Sequence, residues 1–143
     1  MFLDKIYLDM AIIWEEKFSV GISLIDEQHK QFVWTMGKLS KAIEKMETKE
    51  ALIGILNDLD QYVVYHFDTE EKYFKEFGYS EAEEHIKSHQ EFIEKLSGIK
   101  ENFLRDELRL SLELVVLLSD WLVNHVAGMD RKYIDCFNEH GLF

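Results

Sequence analysis

A chain of 143 residues falls within the size of one domain and is long enough to bury a core. Its formal net charge of −12 excludes the basic face that a nucleic-acid binder needs, and no apolar run reaches membrane-spanning length. One cysteine, Cys136, excludes an intrachain disulfide framework and suits a reducing compartment. With no continuous apolar segment at the start, the expected location is cytoplasmic.

No proline, few glycines and long 3.6-residue periodicity predict an all-α fold. Residues 1–22 read as an N-terminal arm. Ile12, Trp14, Phe18 and Val20 are its apolar positions, and Gly21 permits a turn before the first helix. Trp14 and Phe18 are expected to pack over one end of a helical core.

From Ser23 an apolar seam runs Ile25, His29, Phe32, Met36, Leu39, Ile43, Met46, alternating steps of four and three as a helix facing other helices requires. Ser23 is the expected N-cap, with Asp26 and Glu27 in the first turn. A second helix follows Thr48, its expected cap, with the seam Leu52, Leu56, Leu59, Val63, His66, Glu70, Tyr73, Phe77, and stops at Gly78. Ser80-Glu81-Ala82-Glu83 reads as a capping box opening a third helix, whose seam is Ala82, His85, His89, Phe92, Leu96, Ile99, Phe103. A polar junction, Arg105-Asp106-Glu107, leads to a fourth helix with Leu108, Val115, Leu118, Leu122 and His125. Short connections between long helices imply an up-down-up-down antiparallel four-helix bundle over residues 23–143, in a single domain spanning 1–143.

Five of the six histidines, His29, His66, His85, His89 and His125, lie in these seams. A single buried histidine is ordinarily a satisfied core residue. Five from four helices are different, because neutral imidazoles cannot all satisfy one another in a dry core and imidazoliums would repel. In an up-down bundle all five reach the same end, since they sit near the starts of helices one and three and the ends of two and four. A metal resolves the difficulty by giving each nitrogen lone pair a partner.

Glu70 and a candidate Asp130 add two carboxylates able to bridge two ions. Two six-coordinate ions that share both carboxylates, five imidazoles and one bridging hydroxide or oxide keep one position open. Mixed imidazole and carboxylate ligation at that coordination number suits iron better than zinc or magnesium, although the ligands would also accept manganese.

The combined pattern, His29, His66-x-x-x-Glu70, His85-x-x-x-His89 and His125-x-x-x-x-Asp130, resembles the hemerythrin family, and is most similar to the single-domain bacterial hemerythrins. The surroundings agree: Val20-Gly21-Ile22 ahead of Asp26-x-Gln28-His29, Phe67 after His66, Glu70-Glu71, Gly78-Tyr79, and Trp121 four residues before His125. The resemblance implies two irons with a bridging hydroxide or oxide. His85, His89 and His125 would hold one iron, and His29 and His66 the other, which keeps the open position. Glu70 and Asp130 would bridge. It further implies reversible binding of dioxygen, with Trp121 and Leu122 as candidates for an apolar wall, in a carrier, store or sensor rather than an enzyme. The alternative is a di-iron oxidase or a peroxide- or nitric-oxide-processing enzyme.

Five residues from His125 to Asp130 turn a regular helix by about 140° at 100° per residue, so both cannot face one site from an unbroken helix. A bulge or break is therefore expected near Ala127-Gly128. Elsewhere the plain readings are a surface position for His140, a structural Cys136 and solvated acidic runs at Glu81–Glu84 and Glu101–Glu107. Asp26 reads equally well as a support for His29 or as a helix N-terminal acid.

Overall fold

The computed structural model describes residues 14–105 and 107–143, with backbone alone for 107–112. The expectations for Ile12, Asp106 and the side chain of Leu108 lie outside those residues. Four long helical segments make the bundle: α1 (Ser23–Glu44), α2 (Lys49–Phe77), α3 (Ala82–Phe103) and α4 (Glu107–Asp120). A π-helical stretch, Trp121–Val126, continues α4, and a 3-10 turn, Met129–Tyr133, leads into a short α5 (Ile134–Glu139). Each of α1 to α4 packs on its sequence neighbour, and α1 also meets α4, so the four close into a ring. No helix among the described residues is long and apolar enough to cross a membrane.

The helix ends follow local chemistry. The Thr48 hydroxyl accepts from the Ala51 N–H at 3.2 Å, the expected cap of α2. Gly78 ends α2 at φ 61°, a left-handed conformation that glycine adopts without a side-chain clash. Two other cap expectations are corrected. Ser23 is already the first residue of α1, and Ile22 precedes it with no side-chain cap. Likewise Ser80 makes no cap, because Glu81 is the N-cap position of α3 and its side chain meets the Tyr79 hydroxyl instead.

The seams are buried much as the periodicity requires, with two differences. Met46 is 88% exposed and left-handed at φ 53°, because α1 has already ended at Glu44. Near the end of α2 the buried position is Phe74, not Tyr73. At 3.6 residues per turn the inward stripe drifts off a strict heptad, and Phe74 stands four residues after Glu70 on the same face.

Two apolar clusters result. The larger runs through the bundle from Phe18 and Leu39 to Phe92, Leu118 and Val126, with Trp14 packed against it. The smaller closes one end with Val20, Ile22, Ile25, Phe74, Tyr79, Tyr133 and Phe137. The arm reaches this end through a 3-10 turn at Glu16–Phe18, and Gly21 turns at φ 70°. Asp26 ties it down: its carboxylate accepts from the Ser19 hydroxyl at 2.5 Å and the Val20 N–H at 2.8 Å. Neither bond reaches His29 or the first amides of α1, so Asp26 serves here as a tie to the arm.

Candidate metal centre

The five histidines, Glu70 and Asp130 meet between the two apolar clusters, and all seven are buried. Five elements deliver them: α1 brings His29, α2 brings His66 and Glu70, and α3 brings His85 and His89. His125 comes from the π-helical stretch and Asp130 from the 3-10 turn beyond it. The ring centroids of His29 and His66 are 4.9 Å apart, those of His85 and His89 4.8 Å, and those of His85 and His125 4.6 Å.

The break needed between His125 and Asp130 begins earlier than Ala127. The Ala127 N–H bonds the Leu122 carbonyl at 3.0 Å, an i to i+5 contact that inserts an extra residue into the turn. Gly128 then takes φ −120°, ψ −78°, and a Cβ there would lie 2.5 Å from the Asn124 carbonyl oxygen. Only glycine fits. The chain re-enters as a 3-10 turn with Asp130 facing inward, fully buried.

Among the described residues two metal-competent groups emerge, Glu70 with His85, His89 and His125, and Asp130 with His29 and His66. Each carboxylate also reaches across. Asp130 Oδ2 lies 3.1 Å from His29 Nε2, while its Oδ1 lies 2.9 Å from His85 Nε2 and 3.0 Å from His125 Nε2. Glu70 Oε1 is 3.0 Å from His66 Nε2 and 3.3 Å from His89 Nε2. Both carboxylates therefore stand between a pair of histidines and a trio.

These close approaches are not well-formed hydrogen bonds. The Nε2 atoms of His29, His85, His89 and His125, and all four carboxylate oxygens, are buried without a hydrogen-bond partner. Lone pairs crowd a shared interior instead of pairing along N–H···O lines. Left so, each would cost on the order of 1–3 kcal/mol. Metal cations held among them would satisfy these lone pairs together, so the donor set fits a metal centre.

Hydrogen-bond direction fixes three tautomers. The Tyr65 carbonyl can only accept, so Thr69 donates to it at 2.9 Å and accepts from Gln28 Nε2 at 3.2 Å. Gln28 Oε1 is then the acceptor for His66 Nδ1–H at 2.6 Å, which leaves the His66 Nε2 lone pair free. On His125 the same logic runs through Ser88, which donates to the His85 carbonyl at 2.7 Å and accepts from His125 Nδ1–H at 3.2 Å. His89 Nδ1–H faces the Glu71 carboxylate at 3.2 Å. In all three the inward nitrogen is the one with the free lone pair, as a metal ligand requires.

Burial opposes a charge on His29 and His89, yet Asp130 beside the first and Glu70 beside the second hold both above the ordinary imidazole value of 6.5. For His125 burial prevails and its pKa falls. Burial pushes the two carboxylates up as well, but His66 and His89 around Glu70, and His125, His29 and His85 around Asp130, pull both well below the usual range.

Trp121 stacks on His125 at 3.7 Å between centroids and meets Phe92 at 4.2 Å, while Phe67 stacks on His89 at 3.8 Å. Trp121 thus walls the trio, and Leu122 is buried in the larger cluster beside it. The aromatic wall of the pair is Tyr62, parallel to His66 at 5.6 Å, with Phe32 beyond it. His140 is exposed and outside the site, stacked on Phe77.

The sequence also matches known proteins. The hemerythrin HHE cation binding domain profile matches residues 20–137, which include all seven clustered side chains. The chain belongs to the hemerythrin family. It is 30% identical over 129 residues to a bacteriohemerythrin of Stenotrophomonas maltophilia, covering 90% of this chain and 83% of that one. It is 33% identical over 124 residues to a bacteriohemerythrin of Pseudomonas aeruginosa, covering 87% and 80%. A myohemerythrin of Theromyzon tessulatum is 32% identical over 120 residues, covering 84% and 88%.

Four residues of this hemerythrin site carried no role in the sequence pattern: Gln28, Thr69, Glu71 and Ser88. Gln28 and Glu71 adjoin ligand candidates in sequence, but nothing there says that Gln28 reaches a histidine 38 positions away, or Glu71 one 18 away.

Proposed function

We propose that this chain holds two iron ions between its histidine pair and trio and binds dioxygen there reversibly, as a carrier, store or sensor and not as an enzyme. The observation that carries the reading is the set of orphaned inward lone pairs on buried imidazoles and carboxylates. His29 and His66 would hold one ion, His85, His89 and His125 the other, with Glu70 and Asp130 shared between them. When bound, the iron pair supplies electrons and an open coordination position to a small neutral ligand.

The chain supplies the rest. Gln28, Ser88 and Glu71 keep Nδ1 protonated on three rings, so that their Nε2 atoms stay available. The apolar clusters on either side, with Tyr62, Phe67 and Trp121 against the imidazoles, exclude water and anions while admitting an uncharged diatomic molecule. Five imidazoles and two carboxylates place little anionic charge on the metals, which favours binding over oxidation of a substrate. No Glu-x-x-His pair of the kind used by ferritin-like oxidases occurs in the sequence.

Oxygen uptake in the presence of excess reductant tests this reading. Iron-loaded protein that takes up one equivalent per iron pair and then stops supports a binding protein. Sustained consumption would make it an enzyme.

A further inference from the structure

The groups that hold the outward nitrogens of the imidazoles differ in charge. His66 is held by the neutral amide of Gln28 and His125 by the neutral hydroxyl of Ser88. His89 alone is held by a carboxylate, that of Glu71, at 3.2 Å. His29 and His85 have no partner at Nδ1. Glu71 directly follows Glu70 on α2, about 100° further around the helix. The two adjacent carboxylates therefore meet His89 from opposite sides: Glu70 at Nε2 within the site, and Glu71 at Nδ1 outside it.

A carboxylate that accepts Nδ1–H draws the ring toward imidazolate and strengthens the opposite nitrogen as a donor. Phe67, stacked on the same ring at 3.8 Å and 3°, holds its plane so that the contact persists. The Glu71 side chain is 32% exposed and His89 only 1%, so charge at the protein surface reaches the buried site through one ring. Among the described residues no carboxylate accepts from Nδ1 of His29 or His66, and Asp26 acts on His29 only through space. A carboxylate bonded to the outward nitrogen of a ring is thus, among the described residues, a feature of the trio.

We infer that Glu71 is a positioning residue that makes the His85, His89, His125 half the tighter and more easily oxidised metal position. Glu71 touches no metal directly; it acts through His89. The inference rests on the two-iron reading above.

The test compares Glu71→Gln and Glu71→Ala with the unaltered chain. Glutamine keeps an oxygen acceptor for His89 Nδ1–H and removes only the charge, whereas alanine removes both. Metal-free full-length protein is titrated anaerobically with ferrous ion against a chromophoric chelator, and the loaded forms are then titrated by spectroelectrochemistry. The expected result is that E71Q weakens the tighter of two binding steps about tenfold. The other step stays within about twofold, and the first ferrous-to-ferric midpoint moves to more positive potential. E71A should weaken the same step further. An E71Q chain that matches the unaltered one in both affinity and potential, with E71A alone impaired, would reduce Glu71 to a hydrogen-bonding support and overturn the inference. Weakening confined to the weaker step would overturn it as well. If the unaltered chain takes up no ferrous ion, the two-iron reading itself falls, and the inference with it.

Discussion

Gly128→Ala should damage both the fold and the site, because Gly128 is the joint that turns Asp130 inward. The added methyl would sit 2.5 Å from the Asn124 carbonyl oxygen and 3.4 Å from its carbon. Real Cβ atoms essentially never come closer than 3.0 Å, so that carbonyl must retreat by about half an ångström. It belongs to the backbone that carries His125 on the next residue, and it cannot rotate away as a side-chain tip would. Overpacking of this kind costs about 1–3 kcal/mol. For a chain of this length each kcal/mol lowers the melting temperature by roughly 2–4 °C.

Gly98 gives the internal control. It lies exposed within α3 with no heavy atom within 4 Å of its Cβ position, so Gly98→Ala should stabilise by about 0.4–1 kcal/mol. Urea denaturation of both metal-free variants, followed by circular dichroism, reads the two signs side by side. Iron content after loading should drop for G128A and not for G98A. A G128A protein as stable as G98A, and as rich in iron, would mean that Gly128 is not the joint that turns Asp130 inward.

Gln28→Leu should destabilise the metal-free protein by about 1–3 kcal/mol, because it leaves the His66 Nδ1–H and the Thr69 hydroxyl without their partner. It should also weaken iron retention about tenfold in chelator competition. Leu118→Ala, at a position 1% exposed in the middle of the larger cluster, should cost about 2–5 kcal/mol in urea denaturation without changing iron stoichiometry. The pH dependence of the metal-free fold follows from the shifted groups. His29 and His89 have raised pKa values, so the stability they contribute is full below the ordinary 6.5 and is lost as pH rises through their folded values. Glu70 and Asp130 have lowered values, so theirs is present above the ordinary carboxylate range and lost as pH falls through it. His125, lowered by burial, subtracts stability as pH falls below 6.5 and narrows the window from the acid side. The metal-free melting temperature should therefore peak at mildly acidic pH and decline toward alkaline pH; a steady rise from pH 6 to 9 would contradict these assignments.

The bundle and its seven clustered side chains were legible in the sequence because one periodicity carries both. The spacing that buries Phe32 and Leu59 also buries His29 and His66, and histidine in an apolar seam stands out against its neighbours. The misfit between His125 and Asp130 was legible for the same reason, since a five-residue step does not close on a 3.6-residue turn. Its placement was less so: the π-helical stretch starts at Trp121, ahead of the glycine that composition points to. What periodicity cannot carry is orientation around the site. Gln28 and Glu71 belong to the pattern that carries the resemblance, but spacing alone assigns them no task, and their roles appear only when α1, α2 and α3 are packed. Phe74 replaces Tyr73 as the buried ring because helical drift accumulates along 29 residues of α2, a shift that a heptad ruler misses. Trp121 was expected to wall a dioxygen pocket, but the packing of α3 against the π-helical stretch sets it on His125 of the trio, while Tyr62 faces His66 of the pair, to which the resemblance gives the open position.

Reversible dioxygen binding by this chain is read in the visible absorption spectrum of iron-loaded, anaerobically reduced protein. The sample is exposed to air and then flushed with argon, through several cycles. Reversible binding gives a band that appears in air, fades under argon and returns on re-exposure. A band that never forms, or a first exposure that leaves a permanently ferric spectrum, would contradict it.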